Sequence, residues 1–250
     1  MNPVLFSISG LEVYSYGFFI ALGITLSFFF FKRESKLDYG QVSDMFLYII
    51  VAPFVGAKVL FYLEDLPKYI SHPSLIFSSP GQGFVFYGSF LFVLATLWWW
   101  FRRQGLPFRG MMDLIGIGGA LVLGFGKLGC FMAGCCHGSI CDPAFGIVFS
   151  NPQSMAEPLG QTLYPVQLYD ALLVFSIVGF LLWYKKRRPF AGQLFLIFGM
   201  AYSFGRCITE LYRGDESRGF LFGGLLSHSQ FIGLLVISVS LYFWRKWRRV

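Results

Sequence analysis

Residues 164–188 read YPVQLYDALLVFSIVGFLLWYKKRR: a polar, proline-led opening, a long apolar run, and four consecutive cations. About 20 apolar residues in helical form cross the roughly 30 Å hydrocarbon core of a bilayer. Lipid offers a lone strand's backbone no hydrogen-bond partner, and the run lacks the alternation of a barrel strand, so residues 166–184 are expected to form a helix. Six further runs of this kind lie at about 14–31, 42–62, 84–101, 112–134, 191–212 and 226–244. The chain of 250 residues is 56% hydrophobic, 20% aromatic and only 13% charged, too little polar surface for a water-soluble domain. The expectation is an all-α integral membrane protein with about seven transmembrane helices, forming one domain over residues 1–250.

The cations give the runs a direction. Lys32, Arg33 and Lys36 follow the first run, Arg102, Arg103 and Arg109 the third, Lys185, Lys186, Arg187 and Arg188 the fifth, and Arg245, Lys246, Arg248 and Arg249 the seventh. Fourteen of the twenty Lys and Arg residues thus sit at alternate ends, which the positive-inside rule makes cytoplasmic. The N-terminus is then expected outside and the C-terminus in the cytoplasm. The net charge of +7 is read as a topology signal, with some attraction to anionic lipid, and not as a nucleic-acid footprint. Three longer connections, near 63–83, 135–165 and 213–225, fall on the exterior side. They carry Pro67, Pro73, Pro80, Pro143, Pro152, Pro158 and Pro165, so none is expected to continue as helix.

Charged groups inside the runs mark the chemistry, because each costs at least about 2.5–3.5 kcal/mol on insertion. In GRCITELYR, Arg206, Glu210 and Arg213 fall at i, i+4 and i+7, one helical stripe near the outer end of the sixth run. Two cations and one anion leave a net positive site, and the guanidinium fork matches a phosphate. A packing salt bridge with Arg213 reaching to water is the alternative. Lys127 adds a third cation near the outer end of the fourth run, among Gly116, Gly118, Gly119, Gly124, Gly126 and Gly129, which let a neighbouring helix or a headgroup come close. Pro165 suits a first helical turn, placing Gln167 and Asp170 on one face; Asp170 also suits the positive end of that helix. Lys58 and Asp113 are weaker candidates, since both lie near run ends.

With these residues in view, the chain resembles the bacterial prolipoprotein diacylglyceryl transferases over nearly its whole length, from Tyr14-Ser15-Tyr16-Gly17 to the basic tail. Tyr164–Asp170 resembles the family's His-Pro-x-Gln-Leu-Tyr-Glu, and Arg206–Arg213 its Arg-x-x-x-Glu-x-x-Arg. Gly126-Lys127-Leu128-Gly129-Cys130 stands at the family's Gly-Arg-x-Gly-Asn, and Phe86-Tyr87-Gly88-Ser89 at its His-Gly-Gly turn. The resemblance implies a multi-pass enzyme of the bacterial cytoplasmic (inner) membrane, with its site toward the periplasmic or exterior side and no cofactor. It implies transfer of the diacylglyceryl group of phosphatidylglycerol to a cysteine thiol of an exported lipoprotein precursor, with release of glycerol phosphate. Arg206, Arg213 and Lys127, with Gln167 and Asp170, would bind the lipid phosphate, and Glu210 would orient an arginine or serve as base. The departures are specific. Tyr87 stands where the family has a histidine important to catalysis, Lys127 replaces an arginine, and Cys130, Ala133 and Cys135 replace polar residues of the signature. A base must help form the attacking thiolate, and His137 is the candidate to supply what Tyr87 does not.

The stretch GKLGCFMAGCCHGSIC (Gly126–Cys141) holds four of the five cysteines. On an oxidising face Cys130, Cys135, Cys136 and Cys141 are open to disulfides, though adjacent Cys135 and Cys136 would bridge each other only with strain. Zinc held by Cys130, His137, Cys141 and either Cys135 or Cys136 is a second reading, against the common spacings. A catalytic thiolate at Cys130, Cys135 or Cys136, assisted by His137 or Lys127, is a third, and inert packing a fourth. Cys207 reads as a small apolar residue that also has access to the pocket beside Arg206, and His72 and His228 as loop residues beside a polar entry at Ser227, Ser229 and Gln230. The departures from the family pattern also leave open a related lipid-modifying transferase with another thiol acceptor, and two functions of other classes compete with the transferase. A membrane thiol–disulfide oxidoreductase accounts for the cysteines but has no use for a phosphate clamp. A transporter needs a midplane site, whereas these charges sit toward one end and no inverted repeat is visible.

Overall fold

The structure is a computed structural model that describes residues 1–8, 10–64, 66–71, 74, 86–214, 219–221 and 225–249. It is mostly helical, with short antiparallel strand pairs that the all-α expectation did not contain. In chain order the elements are β1 (Val4–Ile8), β2 (Leu11–Tyr14), α1 (Ser15–Ser35), α2 (Tyr39–Glu64), α3 (Leu66–Ser71), α4 (Phe86–Arg103), α5 (Phe108–Ala133), β3 (Ile147–Val148), β4 (Thr162–Leu163), α6 (Val166–Tyr184), α7 (Gln193–Thr209), β5 (Phe220–Leu221), β6 (Leu226–Ser227) and α8 (His228–Arg248). All seven expected runs are occupied by helices. Among the described residues, five segments are long and apolar enough to cross a membrane: Ser15–Ser35, Tyr39–Glu64, Phe108–Ala133, Val166–Arg187 and Gln193–Tyr212. Large apolar side chains such as Leu172, Trp183 and Phe204 point outward, as a lipid-facing surface allows.

The chain forms two compact units, residues 1–34 with 112–250, and residues 35–111. In the first unit α5 is the packing centre, because its glycines are where neighbours press in. A Cβ on Gly118 would collide with Ser27 of α1, one on Gly124 with Phe175 of α6, and one on Gly116 would crowd Phe195 of α7. These are close backbone approaches of the kind that membrane helices use in place of a hydrophobic driving force. Ile117, Ala120, Val174, Ile177, Val178, Leu181 and Leu194 fill the space between α5, α6 and α7. In the second unit α2 and α4 meet at two facing glycines, Gly56 and Gly88, where either Cβ would strike the other's carbonyl oxygen. Ser89 adds an O–H donated to the Pro53 carbonyl at 2.8 Å.

Asp113, on the first unit's part of α5, does more than its position near a run end foretells. Its carboxylate is fully buried and accepts N–H groups of Gly192 at 2.8 Å, Leu194 at 2.7 Å and Phe195 at 3.2 Å. These are orphan donors at the start of α7, and Gly192 sits at φ 91, a left-handed turn that suits glycine. The same carboxylate pairs with Arg188. One aspartate therefore sets where α7 begins relative to α5, while Lys185 and Glu34 join the adjoining ends of α6 and α1 at 2.6 Å.

The connection after α5, expected as an exterior loop over 135–165, is a folded cap. β3 pairs with β4 in the register Ile147↔Leu163 and Val148↔Thr162, over a small core of Phe149, Ala156 and Leu163. Two other loop expectations change. A short helix, Leu66–Ser71, lies in the 63–83 connection, because Pro67 occupies its first turn, where the missing N–H costs nothing. His228 is the first residue of α8 and not a loop residue, since Ser227 and Gln230 form a reciprocal capping box ahead of it. His72 lies outside the described residues.

Loss of the α7 anchor provides a test. Asp113→Ala takes the acceptor from three backbone donors at the start of α7 and from the half-buried Arg188, and is expected to cost about 3–5 kcal/mol. In detergent its thermal unfolding midpoint should fall well below that of Asp113→Asn, which keeps an acceptor oxygen. Equal midpoints for the two variants would show that Asp113 does not hold the start of α7.

Candidate active site

The polar residues of the first unit converge at the end away from the Lys185–Glu34 pair. Asp170 lies one turn into α6 and Lys185 just beyond it, so about 22 Å of helix separates them. Lys127 reaches Asp170 from α5, with Nζ 2.6 Å from Oδ2. The other carboxylate oxygen, Oδ1, accepts the Thr209 hydroxyl at 2.6 Å. Thr209 in turn accepts an Arg206 N–H at 3.2 Å, and Arg206 pairs with Glu210 at 2.5 Å. Five side chains from α5, α6 and α7 and the 3-10 turn after α7 thus form one chain: Lys127, Asp170, Thr209, Arg206, Glu210. Asp170 and Glu210 are 1% and 3% exposed, whereas Lys127 and Arg206 retain 12% and 13%. The anions are sealed in and the cations keep a face.

Arg213 reaches this end by another route than the expected stripe. α7 stops at Thr209, a single 3-10 turn covers Glu210–Tyr212, and Arg213 is extended at φ −73, ψ 140. It leaves the helix because the chain pairs here with the cysteine segment. Gly138 and Arg213 form an antiparallel bridge, and the Ser139 N–H donates to the Tyr212 carbonyl at 2.9 Å. Gly214 is required by this approach, since a Cβ there would lie 2.7 Å from the Ser139 Cα. Arg206 and Glu210 do pair at i, i+4; Arg213 is brought in by tertiary pairing.

The cysteine segment begins where α5 ends. Gly134 at φ 83 donates its N–H to the Cys130 carbonyl at 2.8 Å, a left-handed helix stop, and Cys136 follows at φ 60. This double reversal returns Cys135 and Cys136 over Cys130, so that the three sulfurs lie within 4.8 Å of one another. Gln167, fully buried on α6, fixes the turn by donating its Nε2 to the Cys135 carbonyl at 2.7 Å. The Cys135 S–H donates to the Cys130 carbonyl at 3.8 Å, and the neighbouring Cys130 and Cys135 thiols, with the charges of Arg213 and Lys127, lower the Cys136 thiol below its usual range.

Other expected members lie elsewhere. Cys141 is outside the thiol group, against Gly146 and Thr162, and Cys207 faces Gln230 and Gly233 of α8 instead of the Arg206 pocket. All five cysteines are free, so the disulfide reading is not what the structure contains. The larger zinc set is also not assembled, because Cys141 is apart and His137 is occupied. His137 is buried; its Nδ1–H donates to the Gly138 carbonyl at 2.9 Å and its Nε2 accepts the Glu157 N–H at 3.2 Å. Both ring nitrogens brace the cap, which leaves none for a substrate proton. Tyr87 lies in the first turn of α4, in the other unit, and its side chain is outside the described residues. Thr209 was not singled out from sequence, although a hydroxyl between Arg206 and Glu210 in an apolar helix was a signal. Tyr202 was also missed, and it lies within the field of Lys127, Asp170, Arg206 and Arg213.

Comparison with known proteins gives the family of the whole chain. The family model described as prolipoprotein diacylglyceryl transferase matches residues 3–245. A phosphatidylglycerol–prolipoprotein diacylglyceryl transferase of Clostridium tetani is 34% identical over 97% of this chain and 96% of its own. A second, numbered 2, from Clostridium perfringens is 34% identical over 95% and 92% of the two chains, and one from Solidesulfovibrio magneticus is 30% identical over 96% and 92%. With the match running through the helices that carry Lys127, Asp170 and Arg206, the chain belongs to the prolipoprotein diacylglyceryl transferase family.

Proposed function

We propose that this protein transfers the diacylglyceryl group of phosphatidylglycerol to the cysteine thiol of an exported lipoprotein precursor and releases glycerol phosphate. The observation that carries the reading is the chain Lys127–Asp170–Thr209–Arg206–Glu210, in which buried carboxylates hold two cations at one end of a helical unit. Arg206 has five N–H donors, gives one to Thr209 and is ion-paired with Glu210; Lys127 has three and is paired with Asp170. The remaining donors, with Arg213, are what a lipid phosphate needs, both for binding and for the charge that grows on the departing group. The relatives' names add the substrates, phosphatidylglycerol and a prolipoprotein. A thiol–disulfide exchanger has no role for this network.

In the same reading the chain is one functional domain of seven membrane-crossing helices in the cytoplasmic membrane of a bacterium. The N-terminus is outside, the C-terminus is inside, and the site lies in the outer half of the bilayer. The basic turns at the ends of α1, α4 and α8 and after α6 support that orientation. Arg206 and Lys127 bind the phosphate with Arg213; Asp170, Glu210 and Thr209 are positioning residues, and Gln167 shapes the thiol turn. His137 braces the cap, and Tyr87 is the residue at the family's histidine position.

Two measurements test the proposal. Purified protein incubated with labelled phosphatidylglycerol and a lipoprotein-precursor peptide bearing a cysteine should yield glycerol phosphate and lipidated peptide in equal amounts. Arg206→Ala should lower that rate by about 10²–10³-fold; no release from the unaltered chain would sink the activity. Lys127 is separated from mere packing by a paired substitution. Lys127→Met alone strands Asp170 and should destabilise by about 3–5 kcal/mol, whereas Lys127→Met with Asp170→Leu should regain the unfolding midpoint. The recovered double variant is expected to lack turnover, and undiminished turnover would reduce the pair to a structural bridge.

A further inference from the structure

We propose that Cys130, Cys135 and Cys136 form a three-sulfur site for one Zn2+ ion, and that the ion's fourth coordination position receives the acceptor thiol. The second half rests on the transferase reading above; the first half does not.

The geometry points to a metal before any reaction is considered. The three sulfurs lie within 4.8 Å of one another. Zn–S bonds of about 2.3 Å in a tetrahedral site place sulfurs about 3.8 Å apart, so closure needs a contraction of no more than about 1 Å. Neighbouring cysteines in extended or helical backbone diverge, and here Cys136 adopts φ 60, a left-handed conformation that costs a side-chain-bearing residue about 1–2 kcal/mol. That conformation turns Cys136 back beside Cys135 and above Cys130. Simple packing of small apolar side chains has no need of it. The turn is held from three sides: Gly134 ends α5, Gln167 grips the Cys135 carbonyl, and the Met155 N–H donates to the Ala133 carbonyl at 2.9 Å. Among the described residues three ligands come together, since His137 has both ring nitrogens engaged and Cys141 and Cys207 face elsewhere. Three protein ligands with a fourth position free is the pattern of zinc sites that act on a substrate, and closed sites use four.

The chemistry answers a need of the transferase. The acceptor must be a thiolate when it attacks, His137 is committed to backbone groups, and the tyrosine at position 87 is a weak base at neutral pH. A zinc ion lowers the pKa of what it binds and so supplies a nucleophile without a nearby base. Binding of Zn2+ releases to solvent the protons that the three thiols still carry, and binding of the acceptor thiol releases one more. The acceptor sulfur then forms a bond to the glyceryl carbon that carries the phosphate ester oxygen. That C–O bond breaks, its electron pair leaves with glycerol phosphate, and no atom changes oxidation state at the metal. Arg213, bridged to Gly138 just beyond Cys136, and Lys127, three residues before Cys130 on α5, would stand beside the departing phosphate.

The test uses the full chain in detergent, reduced and stripped of metal. Titration with Zn2+ against a colorimetric chelator should show one ion per chain, with affinity at least 100-fold weaker in Cys130→Ser, Cys135→Ser and Cys136→Ser and unchanged in Cys141→Ser and Cys207→Ser. Co2+ in the unaltered chain gives a second readout that no folding defect confounds. Its sulfur-to-metal absorption should report three thiolates and should change on addition of a cysteine peptide but not its serine analogue. Failure to bind Zn2+ with all thiols reduced, retention of Zn2+ by the triple serine variant, or binding of Cu+ alone would overturn the site. A Co2+ spectrum indifferent to the peptide, or glycerol phosphate release undiminished after zinc is stripped, would overturn the role of the fourth position. A zinc-loaded chain that meets both spectral expectations yet cleaves no phosphatidylglycerol would keep the metal site and remove the transferase reading.

Discussion

A lysine ammonium and an aspartate carboxylate meet 2.6 Å apart inside an apolar helical unit, and most of what surrounds them exists to make that pairing tolerable. Neither charge belongs among hydrocarbon by itself. Lys127 is supplied by α5 and Asp170 by α6, while Thr209 of α7 satisfies the second carboxylate oxygen. Three helices must therefore sit in one relative position for the charges to balance. The glycines along α5 are what allow that position, because Gly116 admits the backbone of α7 at Phe195, and Gly118 and Gly124 admit the side chains of Ser27 on α1 and Phe175 on α6. A larger residue at any of them would hold the polar groups apart, leaving each to meet its desolvation cost without a partner. Asp113 completes the arrangement at the other end, where its buried carboxylate sets the start of α7.

The cap over the site follows from the same end of α5. Gly134 stops the helix, the chain reverses through Cys136, and the segment beyond pairs with two later stretches of the chain. Gly138 and Ser139 are bonded to Tyr164, just before α6, and to Tyr212 and Arg213, just after α7. The cysteine turn, the start of α6 and the end of α7 are thereby tied into one small structure. Its consequence is electrical as well as mechanical: Arg213 is drawn from the helix into the neighbourhood of the thiols, and the Arg206–Glu210 pair stays behind on its own turn.

Much of this was legible in the residues. The seven helical positions followed from run length, since a bilayer demands about 20 apolar residues and the chain offers little else. The polar candidates also followed, because a charge within such a run is costly enough to require a reason; Lys127, Asp170, Arg206 and Glu210 are all members of one network. What was not legible was partnership. Asp170 was equally well placed to favour a helix end, Arg213 fell in helical register although its backbone has left the helix, and Thr209 drew no notice although it links the two ion pairs. His137 has the chemistry of a base, and only its two backbone partners show that it is a brace.

The amino-acid sequence by itself determined the class of protein, the extent of its helices and the identity of its expensive charges, because those depend on local quantities: apolar length, helix period and the cost of one ion in lipid. The tertiary structure decided which charge meets which, where α7 gives way to an extended strand-like segment, and that three of five thiols share one site. Those outcomes depend on contacts between residues 40 or more positions apart, such as Lys127 with Asp170, and on a left-handed turn at Cys136 that no periodicity encodes. Distance along the chain carries no record of them; only close packing of the helices creates them.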